Sequence, residues 1–173
     1  MSEKLTESDR GAIVRNATHE LLVSGTEDWV DLVTVQSEVV AAGRQLGKEF
    51  WYGSGNRRPS KGLDEHFDIR YQLGMEVVNS ILSAGYMVPG EVFQGFSQWS
   101  GSPEEWIPRI ASDWRRMGAS LSLNDICWFA LTDAGHIFLS ASLTSPSPRD
   151  YPVNPPPGYE GEWPPGWWVQ HDQ

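Results

Sequence analysis

The residues with the clearest capacity for chemistry form a basic, glycine-rich stretch, GSGNRRPSKG, at residues 53–62. Arg57, Arg58 and Lys61 stand among its glycines. Backbone N–H groups in such a loop can cradle an anion, and arginine can bind that anion bidentately. The stretch therefore indicates a phosphate or carboxylate site, although it is not a Walker A loop because the Gly-Lys-[Ser/Thr] ending is absent. The competing interpretation is a solvated insertion between two helices, which is the commoner role of a long polar loop.

A second candidate, LDEHFD, gathers Asp64, Glu65, His66 and Asp68 within about one helical turn. Carboxylates and an imidazole could bind a divalent metal. Acidic residues are also favoured at the start of a helix, where the helix dipole stabilises them, and we prefer that interpretation. The sequence therefore predicts neither a metal site nor a cofactor.

The sequence contains no specific signature of nucleophilic catalysis. Cys127 is the only cysteine, which excludes an intrachain disulfide, and it lies between Ile126 and Trp128 in an apolar run where cysteine usually acts as a small buried hydrophobe. His136 follows in a different element. There is no His-Glu-x-x-His, Gly-x-Ser-x-Gly or Cys-x-x-Cys motif, so the sequence gives no support for an enzyme.

The last candidate is the segment 146–173, which contains eight of the twelve prolines and three of the nine tryptophans, Trp163, Trp167 and Trp168. A proline-rich segment is extended and loses little entropy on docking. It either folds back onto an apolar face of the preceding domain, residues 1–145, or binds an aromatic-lined groove on another protein or on a second copy of this chain. Exposed tryptophans favour aggregation, so we expect internal packing.

Charge points to the class of partner. The chain has 23 acidic residues against 13 Lys and Arg, a net charge of −10, and a phosphate backbone disfavours that balance. Nucleic acid is therefore an unfavourable partner and a basic protein is the expected one. The acids Glu27, Asp28, Asp31 and Glu38 are the candidate contacts. The alternative is that these acids are an ordinary solubilising surface.

The helices and strands that position these residues are predicted from the spacing of apolar residues and from glycine, proline and capping residues at the ends of elements. Apolar residues at helical spacing predict helices over 8–25, 33–43 and 67–84, then one from Pro103 to about Met117, and Thr132-Asp133 begins a last short helix. Short strands are predicted at 29–32, 86–88 and within DICWFAL (125–131), with a turn at Pro89-Gly90 and a loop at 50–64. Pro108 should kink or re-initiate the fourth helix.

This order of elements is close to that of a winged helix-turn-helix, and LTDAG (131–135) matches the step from a wing strand into a helix. Further segments resemble a family of small, acidic, uncharacterised bacterial proteins with a winged-helix-like organisation. The matching stretches, over roughly residues 10–140, are WVDL (29–32), SILSAGYMVPGEV (80–92), GFSQWSGSPEEWIPRI (95–110) and DICWFALTDAG (125–135). The resemblance implies a fold without an established activity. The expected fold class is α+β, mainly α, with four to five helices and short strands.

These observations favour a cytoplasmic protein-binding module, in its most concrete form an immunity or antitoxin-type inhibitor of a basic nuclease or other toxin. One alternative is a winged-helix transcriptional regulator acting as a dimer, although Arg70, Gln72 and Asn79 equip the third helix poorly for reading bases. Another is a binder of small anions that uses residues 53–62. No apolar run approaches the roughly 20 residues needed to span a bilayer, so no membrane segment is expected. The sequence does not determine the oligomeric state.

Overall fold

A computed structural model describes residues 5–48, 66–122 and 125–143 of the chain. Within these ranges the protein is α+β and mainly helical, which confirms the expected fold class. The helices are α1 (Glu7–Ser24), α2 (Leu32–Gln45), α3 (Phe67–Ser83), α4 (Pro103–Met117) and α5 (Asp133–Leu143), with a short 3-10 helix at Gly118–Ser120. The strands are β1 (Val30–Asp31), β2 (Met87–Val92), β3 (Phe96–Gln98) and β4 (Trp128–Leu131).

Helix α1 begins at a reciprocal capping pair. The Asp9 N–H donates to Thr6 Oγ1 at 3.1 Å, and the Thr6 N–H donates to the Asp9 carboxylate at 3.0 Å. These bonds satisfy backbone donors that a helix start leaves without partners. Ile13, Ala17 and Leu21 form the fully buried stripe that the spacing of four predicts.

The segment after α1 forms a short strand followed by a helix, as predicted, and its β-branched residues disfavour one continuous helix. The carboxylate of Asp31 accepts a bond from the Thr34 N–H at 2.9 Å and caps α2. The helix continues through Gly43 to Gln45, slightly beyond the predicted end.

Helix α3 is central to the domain and packs against α1, α2, α4 and β2. Its contact with α4 depends on Gly74, where a Cβ would overlap the Trp114 ring. Trp114 is fully buried and also meets Tyr71 edge-on, with 5.6 Å between ring centroids. Helix α4 begins as predicted, with the Ser102 N–H donating to Glu105 at 3.0 Å, and it runs through Pro108 without interruption.

The four strands form one antiparallel sheet in the order β1-β4-β2-β3. The predicted turn at Pro89-Gly90 is wrong, because both residues lie inside β2 and the chain reverses at residues 93–95 instead. Pro89 is tolerated because its ring nitrogen faces Trp99, just past the last paired residue of β3; the Trp99 N–H donates to the Pro89 carbonyl at 2.9 Å. Gly90 has no room for a Cβ, which would overlap the Ser97 carbonyl and the Phe96 ring.

The step from β4 into α5 is the predicted capping device. Thr132 Oγ1 accepts from the Gly135 N–H at 3.1 Å and donates to the Gly85 carbonyl at 2.6 Å. One side chain thus caps α5 and ties it to the end of α3. The order of helices and strands is compatible with a winged-helix-like organisation.

Candidate protein-binding surface

Two of the predicted partner-binding acids lie in the turn between α1 and β1. Glu27 and Asp28 are both exposed, and their backbone N–H groups donate to the Ser24 carbonyl at 3.2 and 3.4 Å. The Asp28 carboxylate also accepts from the Trp29 N–H at 2.8 Å, which orients it. Within the described ranges neither residue forms an ion pair, so both carboxylates present their charge to solvent from a fixed turn.

Two further acids face each other across α1 and α2. Burial raises the pKa of the Glu38 carboxyl above its ordinary value, and the negative charge of Glu20 raises it further. His19 lies beside Glu20, with Nδ1 3.4 Å from Oε1. Two carboxylates held in such an arrangement create a field that favours an incoming positive charge.

We call these four residues, Glu20, Glu27, Asp28 and Glu38, the acidic corner, since they lie where α1 leads into α2. An exposed apolar side chain accompanies them. Val23, three residues after Glu20 on the same side of α1, keeps 38% of its surface exposed. Within the described residues, the acidic corner therefore combines negative charge that no lysine or arginine neutralises with a small apolar contact, as an interface rim does.

Asp31 does not belong to this surface. The sequence places it with the partner-binding acids, but the residue is 2% exposed and both Thr34 N and Thr34 Oγ1 donate to its Oδ1 at 2.9 Å. Because the Asp31 carboxylate caps α2 and is buried, it is not accessible to a binding protein. Its role is in the fold.

Several predicted site residues lie outside the described residues. They are the anion-binding candidates Arg57, Arg58 and Lys61, the metal candidates Asp64 and Glu65, the tail tryptophans Trp163, Trp167 and Trp168, and the domain boundary at 145. Within the described ranges, no group of three or more His, Cys, Asp or Glu side chains could hold a metal ion.

The thiol of Cys127 is unsuited to nucleophilic chemistry. The residue is 3% exposed, and burial raises the pKa of its thiol far above the ordinary value, so the thiolate is scarcely populated near neutral pH. His136 is exposed on α5. Cys127 therefore acts as the small buried hydrophobe that its sequence context indicates.

Helix α3 carries the candidates for base contacts, of which Gln72 and Asn79 are exposed. Arg70, its best candidate for a base contact, is fully buried, and Glu76 is engaged in an ion pair with Arg10. A recognition helix needs a face of basic and amide side chains free to enter the major groove. None of the helices in the described part of the chain is long and apolar enough to cross a membrane.

Sequence reasoning missed a second surface, on the sheet. The predicted turn at Pro89-Gly90 ends β2 too early and leaves no strand at the position of β3. The sequence therefore does not predict the face that β2 and β3 share. The available signal was the alternation in VFQGFSQW (92–99), with Gly95 at a positive φ of 155° in the turn.

No family model, curated protein or solved structure matches the chain. Function must therefore be inferred from the chemistry of these surfaces themselves.

Proposed function

We propose that the protein is a cytoplasmic binding module whose acidic corner engages a basic protein, and that its most concrete role is an immunity or antitoxin-type inhibitor of a basic toxin such as a nuclease. The supporting observations are the exposed Glu27 and Asp28, the opposed Glu20 and Glu38, and exposed Val23 on the same side of α1 as Glu20. Within the described residues, none of these four acids forms an ion pair with a lysine or arginine. A net charge of −10 extends the same preference over the whole molecule.

The electrostatics favour binding over catalysis. Complementary charge steers a basic partner to the surface and speeds association, and a carboxylate pair that repels itself in the free protein is relieved when a cation arrives. The single cysteine is buried, as suits a protein of a reducing compartment. The resemblance to small acidic bacterial proteins is consistent with this role and specifies no activity.

The first experiment is gentle purification of the full chain from its native cells at low salt and then at high salt. We expect a stoichiometric basic protein at low salt that is lost at high salt, because screening shortens the range of exposed charges. Recovery of DNA, or of nothing, would contradict the proposal.

Charge reversal then tests the surface itself. The double variant Glu27→Lys with Asp28→Lys should raise the Kd for the recovered partner by about 10- to 100-fold, since each reversal replaces a modest attraction with a repulsion. Glu91→Lys is the matched control, because Glu91 is an exposed acid on β2, away from the corner. A Glu91→Lys effect half as large in binding free energy, in proportion to its single charge reversal, would show that only net charge matters and would refute a specific corner.

A further inference from the structure

The second surface is one face of the four-stranded sheet. Cross-strand pairing of Val88 with Ala130 and of Val92 with Phe96 puts these side chains on the same face, and side chains alternate between faces along each strand. Trp29, just before β1, extends over this face to Phe96, with 6.0 Å between ring centroids and 30° between ring planes. We call Trp29, Val88, Val92, Phe96 and Ala130 the outer face.

Burial of the two faces of the sheet is unequal. On the inner face Met87 and Phe129 are 0% exposed and Val30 is 5% exposed, because they pack into the helical core. On the outer face Val88, Val92 and Phe96 are only half-buried and Trp29 is 36% exposed. At its rim, Phe93 in the β2–β3 turn is 90% exposed. A contiguous apolar and aromatic patch of this kind usually marks a contact surface.

The remainder of the chain has the composition to cover this patch. The 30 residues 144–173 follow α5, and they contain eight prolines and three tryptophans, with three acids and no bases after residue 150. Helix α5 is fixed beside the sheet, because Phe138 stacks on Tyr86 with 4.5 Å between ring centroids and the Thr132 N–H donates to the Tyr86 carbonyl at 3.0 Å. The segment therefore starts from an element that is already anchored to the sheet.

The length and the composition of residues 144–173 both suit a contact with the outer face. A polyproline-like segment advances about 3.1 Å per residue, so even half of its length exceeds the width of four strands spaced about 4.8 Å apart. Aromatic-lined surfaces are the usual receptors for proline-rich segments, since proline rings and tryptophans pack on aromatic faces with little loss of entropy.

We propose that the Pro/Trp-rich segment 144–173 docks in cis on the outer face of the sheet and packs against Trp29 and Phe96. The contact is apolar: these five side chains carry no charge, and among the further residues that the strand register places on this face, Trp128 is uncharged and Asp31 is 2% exposed. Docking is therefore insensitive to salt, unlike the binding proposed for the acidic corner, and it does not depend on that binding.

The test uses the full chain with one nitroxide label in the segment. In Gly166→Cys the introduced thiol reacts with the label, while the native thiol of Cys127 is 3% exposed and remains unmodified. Paramagnetic broadening is then measured in NMR spectra at low and high salt. We expect the amide signals of Trp29, Val88, Val92 and Phe96 to lose most of their intensity at both salt concentrations, whereas those at the far end of α2, near Gln45, lose less.

Two controls make the result specific. A label at Ser37→Cys, on the exposed side of α2, should broaden its own surroundings and leave the outer face sharp. Replacing Trp163, Trp167 and Trp168 with alanine in the Gly166→Cys protein should restore the lost signals, because the anchoring side chains are gone.

The possible outcomes show whether the outer face is covered by the segment of the same chain or by a second copy. Broadening that persists when labelled protein is diluted into an excess of unlabelled protein supports docking in cis. Broadening of an isotope-enriched chain by a separate labelled chain would identify a second copy as the occupant and overturn the proposal. Broadening centred on Glu20 and Glu38 that spares Val88, Val92 and Phe96, or no broadening on the sheet, would also overturn it.

Discussion

The acidic corner and the outer face differ in how they meet solvent. At the corner, Glu27 and Asp28 are exposed in a turn, and burial and the charge of Glu20 together raise the pKa of Glu38. On the outer face, Trp29 and Phe96 pack against each other above a sheet whose other side buries Met87 and Phe129 completely. The charged groups of the acidic corner are well hydrated, so this surface can stay exposed in the absence of a partner. The outer face is costly to leave in water, and so it is the surface that the protein's own chain should cover.

The largest expected effect concerns the outer face. Replacing Trp163, Trp167 and Trp168 together with alanine should lower the free energy of unfolding by several kcal/mol, because burial of each large apolar side chain contributes about 1.5–3 kcal/mol. For a chain of this size that corresponds to a fall in Tm on the order of 10 °C, measured by calorimetry.

The matched control for this variant is Phe93→Ala. Phe93 is 90% exposed, so its truncation should change the free energy of unfolding by less than about 0.5 kcal/mol. If the triple variant melted with the wild type, the segment would not be packed on the domain. The tryptophans would then be available to another protein.

The same comparison shows what the sequence could predict. Helices α1, α3 and α4 were predictable because their apolar residues recur at helical spacing and their ends carry strong signals, such as Ser102-Pro103 with Glu105 before α4. The acidic corner was predictable in part, since Glu27 and Asp28 follow the end of a helix and charged residues in a turn are usually exposed.

Other features depended on tertiary structure. The strand β2 runs through Pro89-Gly90 because the lost N–H falls beyond the end of β3 and because Gly90 admits the Phe96 ring, and neither condition is visible in a local window. The outer face could not be predicted without β3. Asp31 was assigned to the wrong role because a capping aspartate and a surface aspartate have the same sequence context until the chain folds.

A second prediction separates Asp31 from the acidic corner. Asp31→Ala should lower the free energy of unfolding by about 1 kcal/mol, because α2 loses the acceptor that binds the Thr34 N–H. Asp31→Asn should cost less, since asparagine also caps helices well. Both variants should bind the partner with unchanged Kd under conditions where they are folded. A weakened complex from a fully folded Asp31→Asn protein would return this residue to the interface.

The smallest expected effect concerns Glu38, and it sets stability against binding within the corner itself. Because the pKa of Glu38 is raised in the folded state, the folded protein holds this proton more tightly than the unfolded chain does. The associated stability is present at pH below the ordinary value of 4.5 and is lost as the pH rises through the higher folded value. Glu38→Gln removes this loss, so at neutral pH the variant should be slightly more stable than the wild type, by less than about 1 kcal/mol because the group is only half-buried.

The pH dependence provides the decisive comparison for Glu38. Chemical denaturation at pH 4 and pH 7 should show a smaller fall in the free energy of unfolding for Glu38→Gln than for the wild type. The same variant should bind a basic partner more weakly at pH 7, because one of the two opposed carboxylates is gone. In the free protein Glu20 and Glu38 repel each other, and a basic partner relieves this repulsion in the complex. A surface selected for binding should therefore gain stability and lose an equal amount of binding free energy when Glu38 is neutralised. If the variant gained stability and kept its full affinity, Glu38 would be outside the contact, and the acidic corner would reduce to Glu20, Glu27 and Asp28.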